Sequence, residues 1–242
     1  MKKSILIFCA VLTALSLMAF GYINWDHNKQ VDLDLVYNVD SRFMTTITKE
    51  DLHKATSVLD IVPKEAEGWW KVSFQAVTVA VLQDGGEISE IGKHKVLNAA
   101  QIKLLQSIDY STNFYIKARG TDIHPETGII EDYVYYITII PEKEAEYTSG
   151  HDALIAYLKE NSKEKTTIIK EDQLRPGKVS FTMTKEGTIV NVKLTETSGY
   201  PSVDEELVKI ITNMPEKWKP AENSKGEKVD QEFVFFFGTQ GC

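Results

Sequence analysis

The chain has 242 residues, of which 43% are hydrophobic and 10% aromatic, so it can build one large packed domain or two ordinary ones. Its formal net charge of -8 at pH 7 excludes nucleic acid as an expected partner, because binding to phosphate backbones needs clustered Lys and Arg. Only two cysteines occur, Cys9 and Cys242, so no disulfide within a domain is expected and the folded regions depend on their cores.

Residues 1–23 predict either a signal peptide or a transmembrane anchor. Lys2 and Lys3 precede an uncharged, mostly apolar stretch over residues 5–23. Cleavage near Gly21 would release the chain, whereas a retained stretch of this length would just cross a hydrocarbon core of roughly 30 Å. Both alternatives place the remainder outside the cytoplasm, because the two lysines hold the N-terminus inside.

Residues 24–38 predict a tether, and residues 39–140 predict a mostly antiparallel β domain with short helices. The tether is polar except for the alternating VDLDLVY, which leads into a first strand. Thr48 is the expected N-cap of one short helix, and a second short helix is expected around Ile102. Alternating apolar residues predict strands, which lie around residues 70–81, 114–118 and 131–140.

Residues 141–242 predict a small α+β domain in the order helix, β-hairpin, helix, strand. The first helix has one apolar face, formed by Ala153, Leu154, Tyr157 and Leu158. The hairpin turns at Lys185-Glu186-Gly187 and is expected to bury one face, with Val190, Val192 and Leu194 in its second strand. A capping box of Ser202 and Glu205 is expected to start the second helix, which Pro215 ends, and VDQEFVFFF forms the last strand.

The segment from Gly177 to the last strand resembles the C-terminal domain of TonB, the energy transducer of Gram-negative envelopes. The resemblance covers residues 141–238, including the lead-in PEKEAEY, which is typical of Bacteroidetes members. Its other motifs are the K-E-G turn, Thr197-Ser198-Gly199, Asp204-Glu205, Trp218-Lys219-Pro220-Ala221 and Gly226. It implies a periplasmic protein that binds N-terminal peptides of outer-membrane receptors, or another envelope protein, and couples them to an inner-membrane motor of the ExbB and ExbD type.

Three departures from the TonB pattern bear on the motor. The usual Tyr-Pro before the first strand is missing near Thr166-Thr167, and the apolar stretch lacks the histidine that contributes to motor coupling. The proline-rich spacer is missing too, because the whole chain has only 7 prolines. The domain can therefore keep the family fold without the family motor.

Residues 45–140 more weakly resemble the periplasmic β domains of the gliding and type IX secretion protein GldM. The similar segments are EDLHKATSVLDIVP, the Trp69-Trp70 strand and QIKLLQSIDYSTNFYIKAR. This resemblance implies the alternative function, a periplasmic structural or assembly component that acts as a spacer without motor coupling.

The residue pattern predicts no enzyme, cofactor or metal site. The five histidines have no i, i+4 pair and no H-x-H, and the sequence contains no nucleophile, phosphate-loop or dinucleotide motif. Asp204 and Glu205 are expected in the first turn of a helix, where the helix dipole stabilises negative charge.

Binding through the backbone of the last strand is therefore the functional prediction. A three-stranded sheet ending in FVFFF would leave that strand outermost, with free N–H and C=O groups that accept an extended peptide. The predicted partner-binding residues are Trp218, Pro220, Val229, Gln231, Phe233, Val234, Phe235 and Phe236. The alternative is an ordinary core strand, with Phe233, Phe235 and Phe237 on one face and Val234 and Phe236 on the other or in a homodimer contact.

Overall fold

The computed structural model describes residues 33–43, 45–64, 72–83, 85–122, 130–215 and 218–239. Their fold is mixed α+β, with mostly antiparallel sheets and a few short helices, which confirms the predicted fold class at that level. The chain divides into two compact units, one ending at Leu35 and one running from Val36 to Cys242.

Three predictions fall on residues outside this range. They are the signal or anchor stretch over residues 5–23, most of the tether over residues 24–38, and the tryptophan pair at 69 and 70. Within the described ranges, no helix combines the length and the apolar character needed to cross a membrane.

The elements follow in chain order. Up to residue 140 they are β1 Leu35–Asp40, β2 Thr45–Thr48, α1 Lys49–Lys54, β3 Val72–Gln83, β4 Gly86–Gly92, α2 Ala99–Gln106, β5 Asn113–Asp122 and β6 Ile130–Ile140. After residue 140 they are β7 Glu146–Tyr147, α3 His151–Thr166, β8 Gly177–Met183, β9 Ile189–Glu196, α4 Pro201–Thr212, β10 Trp218–Lys219, β11 Ala221–Glu222, β12 Lys228–Val229 and β13 Gln231–Thr239.

The first sheet has the strand order β2-β6-β5-β3-β4, and β2 is parallel to β6 while the other neighbours are antiparallel. One face of this sheet packs on α1, on the short 3-10 turn Val58–Asp60 that follows α1, and on α2. The buried side chains of that face include Val77, Val79, Phe114, Ile116, Ile137 and Ile139. Helix α1 begins as predicted, because Thr48 Oγ1 accepts a hydrogen bond from the backbone N–H of Asp51, at 3.1 Å.

The second sheet has the order β1-β13-β8-β9, and β8 is antiparallel to both β13 and β9. Its core is dominated by aromatic and aliphatic side chains, because alternate residues of β8 and β13 point to the same face. The most deeply buried are Val179, Phe181, Met183, Phe235 and Phe237. Helices α3 and α4 pack on each other, and α4 also packs on β8 and β9.

The predicted start of the second helix is wrong. Tyr200 is the N-cap of α4, Pro201 is the first helical residue, and no side chain caps the helix. Proline at the first helical position has the φ angle of a helix and no N–H to satisfy, so the helix begins there and not at a capping box of Ser202 and Glu205.

Asp204 has a larger structural role than the predicted stabilisation by the helix dipole. Its carboxylate is 5% exposed and accepts hydrogen bonds from Thr197 Oγ1 at 2.5 Å and from the backbone N–H of Ser198 at 2.9 Å. It therefore holds the turn before α4 against the helix.

The predicted burial of one hairpin face is confirmed for β8 and wrong for β9. In β9, Val190 is 39% exposed and Leu194 is 36% exposed. The register between β8 and β9 shifts twice, and Asn191 adopts a left-handed φ of 55°. Such bulges bend and twist a strand, so its alternation no longer follows that of its neighbour.

Candidate functional site

The aromatic strand β13 is the centre of the predicted binding site. Its pairing with β8 is unbroken over seven residue pairs, from Gln231 opposite Met183 to Phe237 opposite Gly177. Aromatic and β-branched residues favour strands, which explains why this segment forms a long and regular one. The strand thus presents a straight row of backbone groups on its other side as well.

The prediction that this strand is outermost in its sheet is wrong. Strand β1 lies on the other side of β13, so β13 is an interior strand. The occupant comes from residues 35–40, which the sequence interpretation divided between a tether and the first β domain. The alternation in LVYNVD is enough to form a strand, but it does not indicate that the partner lies near the other end of the chain.

Tyr37 fixes β1 to this position. Its ring centroid lies 5.8 Å from that of Phe235 and 5.2 Å from that of Phe237, the latter edge to face. Its hydroxyl lies 2.8 Å from Ser162 Oγ on α3, and Lys159 Nζ lies 5.6 Å from the ring centroid. The side chain therefore fills a niche between β13 and α3. Phe235 and Phe237 line its apolar side, and Ser162 and Lys159 line its polar end.

The direction of the Tyr37 hydrogen bond follows from its partner. Ser162 Oγ already donates its single hydrogen to the carbonyl oxygen of Leu158, at 2.8 Å, so the phenol donates to Ser162. Burial raises the pKa of the Tyr37 phenol, which keeps the proton that this bond requires. Sequence analysis missed both Tyr37 and Ser162.

Gln231 holds the other end of β13. Its side chain is 2% exposed; Oε1 accepts a hydrogen bond from the backbone N–H of Ala145 at 2.8 Å, and Nε2 donates to Glu144 Oε2 at 2.6 Å. Partial burial, with a further contribution from the negative charge of Asp40 in β1, raises the pKa of the Glu144 carboxyl. The predicted binding residue Gln231 is thus a buried structural amide.

Trp218 packs inside the domain. Its ring contacts Tyr147 at 5.5 Å, Phe181 at 6.2 Å and Phe233 at 5.6 Å between centroids. Its Nε1 is buried and has no hydrogen-bond partner among the described residues. Trp218 is half-buried, and its ring packs against β13 through Phe233.

Two of the predicted residues lie beside the hairpin turn. Pro220 and the backbone of Trp218 approach Gly187, where a Cβ would lie 3.3 Å from the Trp218 carbonyl oxygen. Gly187 also has a φ of 84°, so the turn needs glycine for both reasons.

Val229, another of the predicted binding residues, lies in the small sheet of β11 and β12. It is half-buried and pairs with Ala221.

The remaining predicted residues form the core around β13. Phe233, Val234 and Phe235 are 6%, 4% and 0% exposed, and Phe236 is half-buried. The alternative interpretation, a strand with two buried faces, therefore describes these side chains. The side of β13 opposite β8 is therefore a backbone edge, and β1 covers it.

A cavity of about 310 Å³ lies at the end of the second sheet. Its wall includes Val36, Pro176, Gly177, Lys178, Glu196 and Phe236. The two charges in this wall satisfy each other, because Lys178 Nζ lies 2.7 Å from Glu196 Oε1.

Strand β9 is the opposite end of the second sheet, and within the described ranges its one strand neighbour is β8. Its edge is irregular because of the two register shifts and the left-handed Asn191. Bulges and edge lysines, here Lys193, are devices that discourage pairing with a further strand. The irregular edge of β9 is thus a poor platform for strand addition.

No group of three or more His, Cys, Asp or Glu side chains in the described residues is placed to hold a metal ion. Comparison of the chain with protein-family models, with curated proteins and with solved structures found no match.

Proposed function

We propose that the chain is a TonB-like, non-enzymatic protein of the cell envelope that binds an extended partner peptide by β-strand addition at β13. One observation carries the proposal: β13 accepts as its neighbour a strand from a distant part of the chain, β1. An edge that pairs with such a segment within the molecule has the geometry to pair with an extended segment of another.

The order of elements after residue 140 supports the TonB-like part of the proposal. It runs α3, the β8–β9 hairpin, α4 and β13, which is the order that the resemblance implies. The proposed partner is the N-terminal peptide of an outer-membrane receptor or another envelope protein. The protein would work in the periplasm, anchored in the inner membrane by residues 5–23 or secreted, and an anchored form would transmit energy from an ExbB and ExbD type motor.

The binding half is tested on the full chain in detergent, with synthetic peptides that span the periplasmic N-termini of outer-membrane receptors. We expect saturable binding with a Kd of roughly 10⁻⁴ M or below, and faster hydrogen exchange of the amides of 36–40, because the peptide takes the place of β1 beside β13. A double variant, Val190→Lys with Leu194→Lys, is the control, because it places charge along β9 and leaves β13 unchanged. Failure of every receptor peptide to bind, or new protection of the β9 amides that is lost in the control, contradicts the proposal.

The energy-coupling half is tested in cells. Deletion of the gene should abolish receptor-dependent uptake, and an unchanged uptake rate contradicts this half alone. The N-terminus of the mature chain, measured by mass spectrometry, separates the two localisations: an intact Met1 favours motor coupling, and a start at Tyr22 disfavours it.

A spacer function is the second candidate. It is favoured by the junction between the first and second sheets, by which we mean Ser111 with Glu232 and Glu50 with Glu142. The backbone N–H of Glu232 in β13 donates to Ser111 Oγ before β5, at 2.8 Å, and the N–H of Glu50 in α1 donates to Glu142 Oε1, at 2.9 Å. Direct hydrogen bonds across the junction restrict relative motion, as a spacer requires. Uptake that survives gene deletion while envelope assembly fails would support this candidate over the first.

A further inference from the structure

We propose that β1 occupies the partner site in cis, and that the partner segment which replaces it carries a tyrosine at the position of Tyr37. This inference rests on the proposed function and adds both the chemistry of the partner and a means of control. The partner is an extended peptide with a tyrosine and, two residues later, an aliphatic side chain at the position of Val39.

The position of β1 makes exchange feasible. It lies at the end of the strand order and its strand neighbour among the described residues is β13, whereas β13, β8 and β9 remain paired with one another without it. Departure of β1 would therefore break one ladder of hydrogen bonds and leave the hairpin and α4 in place. End strands and chain segments of this kind open at lower free energy than interior strands.

The side-chain pattern of β1 defines what the niche selects. Residues 37 and 39 point to the same face of the sheet, because side chains alternate along a strand. Tyr37 lies against Phe235 and Phe237, and Val39 is 6% exposed. An incoming segment must fill both positions, or it leaves apolar surface of the core in water.

The polar end of the niche distinguishes tyrosine from other aromatic residues. Ser162 Oγ uses its hydrogen on the Leu158 carbonyl, so it offers an acceptor to the incoming side chain. Phenylalanine would fill the niche but leave this acceptor unpaired at a residue that is 0% exposed. Lys159 Nζ, 5.6 Å from the ring centroid, adds an attraction that an aliphatic residue would not have.

Attachment in cis sets a threshold for the partner. A segment tethered to its own site competes at an effective concentration of roughly millimolar, so a partner with the same contacts displaces little of it. Weakening β1 should therefore strengthen binding in trans. This relation distinguishes an exchangeable strand from a permanent structural one.

The test measures binding of a fluorescent peptide with the sequence of residues 33–42, LDLVYNVDSR, to the full chain in detergent by anisotropy. The Tyr37→Ala chain should bind it at least about tenfold more tightly than the unchanged chain does. Replacing the peptide's tyrosine with alanine should weaken binding to the Tyr37→Ala chain by about tenfold or more, with phenylalanine between them. Asn38→Ala is the matched control in the chain, because residue 38 points to the opposite face, and it should bind as the unchanged chain does.

Equal affinities of the unchanged and Tyr37→Ala chains, or equal affinities of the tyrosine and alanine peptides, would overturn the proposal. Should Tyr37→Ala lose its fold by circular dichroism, hydrogen exchange of the unchanged chain decides instead. Amides of 36–40 should then exchange through local opening well before those of 179–183, and exchange of both segments only by global unfolding overturns the proposal.

The two proposals can fail separately. If the β1 peptide exchanges as expected but receptor peptides bind neither chain, the result supports β1 as an exchangeable strand and contradicts binding of receptor peptides. If receptor peptides bind the unchanged chain and the Tyr37→Ala chain equally, the result supports strand addition and contradicts regulation by β1.

Discussion

At the residue scale, the side chains that hold β1 against β13 differ from those that the sequence singled out. Aromatic abundance drew attention to Phe233 and Phe235, which are core residues. Tyr37 and Ser162 define the niche beside β13, yet neither belongs to a sequence motif that marks a contact between distant segments. A hydrogen bond between residues 125 positions apart has no local signature, so no pattern in the sequence could have paired them.

Asp204 provides a prediction at this scale. Asp204→Ala should lower the free energy of unfolding by about 2–3 kcal/mol, because it removes the acceptor of two hydrogen bonds and leaves the N–H of the buried Ser198 unpaired. Urea denaturation of the full chain measures the change. Glu205→Ala is the matched control, because Glu205 is the exposed neighbour in the same helical turn, and it should change stability by less than about 0.5 kcal/mol. Equal losses would show that helix-dipole stabilisation, as first inferred, is the whole effect.

At the scale of elements, local chemistry predicted most helices and strands. The Thr48 cap, the alternation in β3, β5 and β6, and the glycine turn after β8 are each confirmed. The start of α4 differs because proline at its first position outweighs the capping box. Strand β9 differs because its two register shifts break the alternation that the sequence pattern assumes.

The turn after α1 allows a prediction about pH. The backbone N–H groups of Thr56 and Ser57 each donate to Asp60 Oδ2 at 2.9 Å, and the bond from Thr56 contributes most to lowering the pKa of the Asp60 carboxyl from 3.8. Because the folded pKa lies below the unfolded one, this stabilisation is fully present above pH 3.8 and is lost as pH falls through the folded pKa.

Asp60→Asn tests the pH prediction, because asparagine keeps an acceptor but does not titrate. The stability advantage of the unchanged chain over Asp60→Asn should be constant above pH 3.8 and shrink below it, as measured by urea denaturation across that range. An advantage that grows as the pH falls would contradict the assigned direction.

At the scale of the whole molecule, strand order is the feature that sequence analysis could not supply. A strand pattern specifies which face is buried, but a single sequence contains nothing that pairs residues 35–40 with residues 231–239. The strand β13 was therefore predicted to be outermost, and in the structure β1 lies beside it.

The junction between the sheets carries the last prediction. Glu142 follows the buried Pro141, and its carboxylate accepts from the N–H of Glu50 at 2.9 Å and lies 3.5 Å from the Tyr110 hydroxyl. Glu142→Ala should therefore cost about 1–2 kcal/mol of unfolding free energy, measured by urea denaturation. Lys143→Ala is the control, since its side chain makes a surface ion pair and should contribute less than about 0.5 kcal/mol.

The shape of the unfolding transition decides what the junction does. A rigid spacer requires the two sheets to unfold together, so the unchanged chain should show one transition by both far-UV circular dichroism and tryptophan fluorescence. In Glu142→Ala the two signals should separate, because less free energy couples the first sheet to the second. Coincident signals in Glu142→Ala with an unchanged midpoint would mean that other contacts, such as that between Ser111 and Glu232, hold the junction.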